Sequence, residues 1–305
     1  MKILSCCEYD WANFQFYNAE ALRRVGIDCV DLKLMAHHYN YPDQSKIVDE
    51  FEFLREAEQA DVIQIFHTDT YVYNLLKHLN KRFFVYHTGS KYRAEPEPMN
   101  EVFKKVEITF IDSPEFYELG GTNVIYIATG IDTDKLKYTS PDNSIPLFAH
   151  YPSGEAIKGT SKIVQMLSEV DPTINFKFDI NRKNWDENVK RISECDIYIE
   201  LFSPTQQING QIKKYGSFGV TAFEAAALGK IVVTNSTHHE VYIKHYGDCE
   251  LMIANNEKDF KNVIKQIQEM SWAQIEQKKK ATRKWIEEKH SLKSTGNYLK
   301  KFYEN

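Results

Sequence analysis

What this 305-residue sequence lacks narrows its class before any motif is read. It has no apolar run of the roughly 18 residues that a membrane-spanning helix needs, so no integral membrane segment is expected. The opening Met-Lys-Ile-Leu-Ser-Cys-Cys turns polar too soon for a secretory signal, and the expected location is cytoplasmic. Cysteine is sparse. Cys6, Cys7, Cys29, Cys195 and Cys249 are odd in number and scattered, with no C-x-x-C pair, which argues against a disulfide framework and for reduced core thiols. A general basic field is missing too: 38 Lys+Arg against 43 Asp+Glu leave a net charge of −5, which speaks against non-specific nucleic-acid binding but not against a local basic groove. There is no internal repeat or low-complexity segment, and the first loop, Cys7 to Asn13, carries no G-x-G-x-x-G, so a dinucleotide fingerprint is absent there.

What is present is an alternation of short apolar strands and amphipathic helices, in a chain long enough for two domains. Strands are expected over Met1 to Cys6, Cys29 to Leu34, Ala60 to Phe66, Arg82 to Tyr86, Ile108 to Ile111 and from Val124. Helices are expected near Asn13 to Val25, Ile47 to Gln59 and Tyr71 to Asn80, and Asp112-Ser-Pro-Glu115 reads as the start of a capped helix. Thr-Ser-Pro-Asp-Asn-Ser-Ile-Pro146 is linker-like and marks a boundary. Beyond it the pattern resumes with strands at Leu147 to His150, Ile174 to Ile180, Cys195 to Phe202, Ile231 to Val233 and Leu251 to Ala254. Helices run from Thr160, about Asp186 to Ser193, about Glu257 to Met270, Trp272 to about His290, and Ser291 to Tyr303. Ser203 to Gly210 reads as a loop. The Lys278-Lys-Lys280 and Arg283-Lys284 cluster reads as a solvated helix face, whereas Lys213 and Lys214 lie just before a candidate anion site.

That site is the stretch Gly216-Ser-Phe-Gly-Val-Thr-Ala-Phe-Glu-Ala-Ala-Ala-Leu-Gly229. Phe218 to Leu228 is apolar on nearly every side, as in a helix buried all round, and Gly229 supplies a left-handed stop. Helical spacing puts Ser217, Thr221 and Glu224 on one polar stripe. The start at Gly216 to Gly219, with its free N–H groups, favours an anion, while an interior Glu224 needs donors such as sugar hydroxyls. Tyr151 to Thr160 is a second polar loop opening a helix, with Lys158 as a point charge. In the first half, His67 and His87 each follow a strand, the edge of an open α/β sheet where ligands collect. His238 and His239, adjacent in Thr237-His-His-Glu240, point in different directions and are not expected to ligate a metal.

The run Tyr215-Gly-Ser-Phe-Gly-Val-x-x-Phe-Glu-Ala-x-Ala-x-Gly-Lys-x-Val-Val233 resembles the signature of family 4 retaining glycosyltransferases of the GT-B fold, Glu-x7-Glu-Ala-x-Ala-x-Gly. Pro-Ser-x-x-x-x-Lys-Gly-Thr160 resembles that family's phosphate loop, and His87-Thr-Gly-Ser-Lys-Tyr-Arg93 its His-x-Gly-Ser-x-x-Arg segment. Two positions depart from the pattern: the first Glu of the signature falls on Gly216, and the Arg usual five residues before the Lys falls on Ser153.

The resemblance implies two doubly wound Rossmann-like domains with a cleft between them. Residues 1–140 would form the acceptor side and 141–284 the donor-nucleotide side, with helices in 285–305 returning to the first domain. It implies a nucleotide-sugar donor, UDP- or GDP-linked, as substrate, and neither cofactor nor metal. Ser153, Lys158, Gly159, Gln211, Gly216, Ser217, Phe218, Gly219, Val220 and Glu224 would hold that donor, Glu224 through the ribose. Lys158 and His87 would serve the chemistry, and His67, Ser90 and Arg93 would face donor sugar or acceptor. Retention is explained in that family by attack on the face the leaving phosphate vacates, the phosphate taking the acceptor proton. The acceptor is open among glycan, protein, small molecule and modified nucleic acid, and peripheral membrane contact is compatible. A sugar-nucleotide epimerase or glycan phosphorylase on the same fold, and a non-catalytic sugar-nucleotide-binding protein, are the competing readings.

Overall fold

The computed structural model describes residues 1–37, 44–216 and 218–304, so the expectation for Ser217 lies outside the described residues. In chain order the elements are β1 (Lys2–Cys7), α1 (Phe14–Arg24), β2 (Asp28–Lys33), β3 (Lys46–Ile47), α2 (Glu50–Gln59), β4 (Val62–Ile65), α3 (Thr70–Leu76), β5 (Arg82–His87), α4 (Gly89–Ala94), α5 (Pro96–Val102), β6 (Ile108–Ile111) and β7 (Val124–Tyr126). There follow β8 (Phe148–His150), α6 (Glu155–Lys158), α7 (Thr160–Val170), β9 (Phe176–Phe178), α8 (Trp185–Ser193), β10 (Ile197–Ile199), β11 (Thr205–Ile208) and β12 (Gln211–Lys214). The chain closes with α9 (Val220–Ala227), β13 (Ile231–Thr234), α10 (His239–Tyr246), β14 (Met252–Ile253), α11 (Glu257–Gln268), α12 (Trp272–His290) and α13 (Leu292–Tyr303).

Two compact units result. Met1–Asp132 and the stretch from His290 onward form the first, and Thr133–Lys289 the second. The first holds a parallel sheet in the order β3-β2-β1-β4-β5-β6-β7. Val62 to Ile65 and Ile108 to Ile111 are buried on both faces, which is why they are apolar but for one residue each, Gln64 and Thr109, both buried. Leu4, Ile63, Ile65, Val72, Leu76, Val85 and Phe103 build the core on one face. On the other face α1 and α13 pack together around Tyr17, Ala21 and Leu292. The C-terminal helix is tied down by Leu292 N donating to Ile131 O at 3.1 Å and by Tyr303 Oη donating to Gln64 Oε1 at 2.5 Å.

The second unit has a parallel sheet in the order β14-β13-β10-β8-β9. Phe148, Ile197, Ile199, Ile231 and Val233 meet Ile163 and Leu167 of α7 and Phe260, Ile264 and Ile267 of α11. Elsewhere in the unit, Phe223 of α9 lies 5.9 Å from Trp285 of α12.

Four local expectations are corrected. The helix expected from Ile47 starts at Glu50, because the Asp49 side chain caps it by accepting from Glu52 N, and Ile47 joins an edge strand instead. Asp112-Ser-Pro-Glu115 leads into a 3-10 turn, Pro114–Leu119, whose Ser113 makes no side-chain cap. Ser203 to Gly210 is not simply a loop: Thr205–Ile208 and Gln211–Lys214 pair as an antiparallel hairpin across Asn209-Gly210, both at positive φ, a pairing that Asn-Gly favours. The Lys278 to Lys284 cluster is only partly solvated. Lys279 is fully buried beside Asp196 at 3.3 Å and Glu276 at 2.6 Å, and the Arg283 guanidinium donates to the carbonyls of Thr133, Leu136 and Ala227, because that stripe of α12 faces the unit's interior.

Candidate functional site

In the second unit β8 has β9 on one side and β10 on the other, so the winding reverses between β8 and β10. Ligands of open α/β sheets gather outside the carboxyl ends of strands at such a point. Lys158 closes the one-turn helix α6 after β8, and Glu200 directly follows β10. The two form an ion pair, with the Lys158 side chain 17% exposed and that of Glu200 1% exposed. Burial works to lower the Lys158 ammonium and the neighbouring Glu200 carboxylate raises it, with a net rise. The carboxylate is further fixed by Thr234 Oγ1, which donates to Oε2 at 3.0 Å. Gly159, at φ +73, lets this loop touch β10's continuation: a Cβ there would meet Phe202 O at 1.9 Å.

The predicted donor loop lies against the same pair. Gly219 is the N-cap of α9, and a Cβ on it would stand 2.5 Å from Glu200 Oε1 and 3.2 Å from Lys158 Nζ. Lys158 and the start of α9 therefore share one place. Gly216, at φ +116, has no room for a side chain, since a Cβ would meet Asn235 Nδ2 at 1.8 Å. Asn235 is fully buried and spent on both sides, Nδ2 donating to Tyr215 O at 2.9 Å and Oδ1 accepting from Ser203 N at 2.8 Å. Phe218 anchors the loop among the rings of Phe223, His239 and Tyr242.

Glu224, in the second turn of α9, is 3% exposed and accepts from Trp185 Nε1 at 2.6 Å. Burial raises its carboxyl to about 7, the indole N–H pulling the other way. Trp185 opens α8 and carries the Lys135 ammonium 4.3 Å over its ring. Ser153 is exposed, and its carbonyl accepts from Arg182 Nε at 3.2 Å, so a guanidinium stands beside the position where the family resemblance would have led to an Arg. Gln211 lies exposed on the hairpin, paired with Ile208. Cavities of about 460 and 470 Å³ flank that hairpin, one lined by Glu155, Ile157 and Gln206, the other by Lys162, Lys214 and His239; neither includes Gly219 or Glu224.

In the first unit the winding reverses between β1 and β4. Asp10 and His67 lie in the segments that follow these two strands. Four non-glycine residues at this edge, Ala12, Asn13, His67 and Thr68, have φ between 55° and 58°, a strain that tends to gather at functional sites. His67 Nδ1 lies 2.8 Å from Thr88 Oγ1 and Nε2 3.1 Å from Asp10 Oδ1. The donor atoms of Cys7, Asp10 and His67 fall within 4.8 Å of one another, a set able to hold a metal ion. Asp10 meanwhile accepts from Gln15 N and Phe16 N, and His67 Nε2 accepts from Trp11 N at 3.2 Å, bonds that tie the β1 loop to the start of α1 and the end of β4.

His87 is fully buried, stacked on Tyr92 at 3.9 Å, with Nδ1 3.1 Å from Thr68 Oγ1 and Nε2 without a hydrogen-bond partner among the described residues. Burial lowers its imidazole to about 3, so it is neutral at any physiological pH. Ser90 is exposed on α4, and Arg93 of the same helix is committed to Glu115, with Nε donating to Oε1 at 2.7 Å. His67 thus follows β4, His87 ends β5 and Ser90 and Arg93 follow it, while every described residue expected to hold the donor falls in the second unit. The sequence reading did not single out Glu200, Thr234, Asn235, Trp185 or Asp10; none belongs to a motif.

No family model and no curated protein matches the chain. Solved structures do. The chain is similar over its full length to Anabaena HepE solved with UDP-glucose, at 12% identity, TM-score 0.71 and 100% coverage of that chain. It is similar to sucrose-phosphate synthase of Thermosynechococcus elongatus at 13% identity and TM-score 0.63, over 100% of this chain and 98% of that one. Trehalose-6-phosphate synthase OtsA gives 8% identity and TM-score 0.64, over 100% and 99%. At these identities the likeness is one of fold: the chain has the GT-B fold of two Rossmann-like domains.

Proposed function

We propose that the chain is a glycosyltransferase of the retaining family 4 type, moving a hexose from a UDP- or GDP-linked donor to an acceptor hydroxyl without a metal ion. The observation that carries this is the meeting of Lys158 with the start of α9 at the reversal point of the second sheet, with Glu224 one turn further along that helix. The same fold is seen in structures solved with UDP and with UDP-glucose. In this reading the donor's diphosphate lies at Gly219 and Val220, where negative charge grows as the sugar departs. Lys158, Arg182 and the helix N–H groups stabilise that charge. Glu224 takes the ribose hydroxyls, with Trp185 fixing one carboxylate oxygen. The bond from the anomeric carbon to the diphosphate breaks with its electron pair, the acceptor oxygen bonds to that carbon on the same face, and a leaving phosphate oxygen takes the acceptor proton. His67 and His87 sit on the acceptor side.

Asn235 in the space of the first signature Glu favours a second reading, a binder of sugar nucleotides that does not transfer. Incubating the full chain with labelled UDP- and GDP-sugars separates the two: transfer or donor hydrolysis supports the first, binding alone the second. Calorimetry with Lys158→Ala and Glu224→Ala tests the site itself, and nucleotide affinity unchanged in both variants overturns both readings.

A further inference from the structure

An anion arriving at the start of α9 does not meet a free lysine. The Lys158 ammonium is already paired with Glu200, and the Glu200 carboxylate reaches to within 2.5 Å of where a Gly219 Cβ would be, at the N-cap of α9. Glu200 is buried, held on its other oxygen by Thr234, and follows a central strand, so it is fixed rather than swinging in solvent. A carboxylate has the charge and acceptor geometry of a phosphate oxygen, and here it stands where the phosphate is proposed to bind.

We propose that Glu200 is a built-in counter-anion of the diphosphate subsite, which weakens binding in proportion to ligand charge and so makes the site favour the sugar-linked donor over the free nucleoside diphosphate. The inference rests on the donor site proposed above. A sugar-linked diphosphate carries about two negative charges and the free diphosphate about three near neutral pH, because its terminal phosphate has an extra ionisable oxygen. A fixed like charge in a partly buried site opposes the second more than the first, by about tenfold or more for a full extra charge. In the reaction this speeds departure of the product, since Glu200 supplies its negative charge at the helix start itself.

Isothermal titration of the full chain and of Glu200→Gln at fixed ionic strength, with uridine, UDP, UDP-glucose, their guanosine counterparts and inorganic pyrophosphate, tests this. In the variant the nucleoside changes by no more than about twofold, the sugar-linked donor tightens modestly, and the free diphosphate and pyrophosphate tighten by about tenfold or more. Glu200→Asp, which withdraws the carboxylate by one methylene, falls between, and covers the case in which Glu200→Gln does not fold. Equal or weaker binding of UDP and pyrophosphate in the folded variant overturns the inference while leaving the donor site standing. Tighter pyrophosphate with no binding of any nucleotide supports the counter-anion and overturns the donor site instead.

Discussion

Glu224→Gln probes the buried carboxylate without removing the atom that Trp185 bonds. In the folded chain burial holds Glu224 near 7 against an ordinary 4.5. A carboxyl whose pKa is raised by folding binds more protons in the native state than in the unfolded one, so stability falls as pH rises through the interval between the two values. The raised value corresponds to about 2.5 pH units, or on the order of 3 kcal/mol, absent below about pH 4.5 and fully felt above about pH 7.5. Glutamine carries no charge to desolvate and keeps an oxygen for the indole N–H. The stability of the variant relative to the parent is therefore expected to rise by about 3 kcal/mol from pH 4.5 to pH 8, or roughly 6–12 °C in the melting temperature of a unit this size. Asp112, also raised to about 7, by burial in the first unit, titrates in both proteins and cancels in the difference. Thermal melts of both proteins across that range are the assay. A difference that stays flat with pH would show that Glu224 ionises without cost and would remove the reason to expect a ligand's hydroxyls there. Ribose hydroxyls bind the ionised form best, so binding of UDP-glucose, whose diphosphate has no group titrating near neutrality, at about pH 6.5 should release protons from the parent and none from the variant, read by calorimetry in two buffers of different ionisation enthalpy.

Restoring the signature glutamate with Gly216→Glu is expected to lose about 2–4 kcal/mol of stability and gain no activity, because Asn235 already fills the space and cannot move without breaking two hydrogen bonds; a stable, more active variant in melts and transfer assays refutes this. Arg182→Ala should weaken UDP severalfold and uridine hardly at all, and equal losses for both would place Arg182 elsewhere than at the diphosphate. Lys279→Met should cost several kcal/mol in denaturant unfolding by stranding the buried Asp196, and much of that loss should return in Asp196→Asn combined with Lys279→Met.

Much of the fold was legible from local pattern. Short apolar runs, amphipathic spacing and Gly229 after α9 are properties of short stretches, and they place strands and helices within a few residues. The helix start at Gly219 and the carboxylate one turn into it were likewise readable, because an anion site at a helix N-terminus is a local feature. Asn209-Gly210 was also legible as a hairpin turn, and its dipeptide chemistry is what the loop reading passed over.

What surrounds that helix start was decided by strand order. Lys158 and Glu200 are 42 residues apart and Trp185 and Glu224 39 apart, and they meet only because β8 lies beside β10 and α8 beside α9. Arg182 reaches Ser153 for the same reason, across β8 and β9. The sequence by itself determined where a buried helix begins with free N–H groups and carries a carboxylate one turn further on, since these follow from chain-local geometry. Whether the place is empty, already neutralised or filled by an amide is set by side chains delivered from other strands, and no window of residues contains that information.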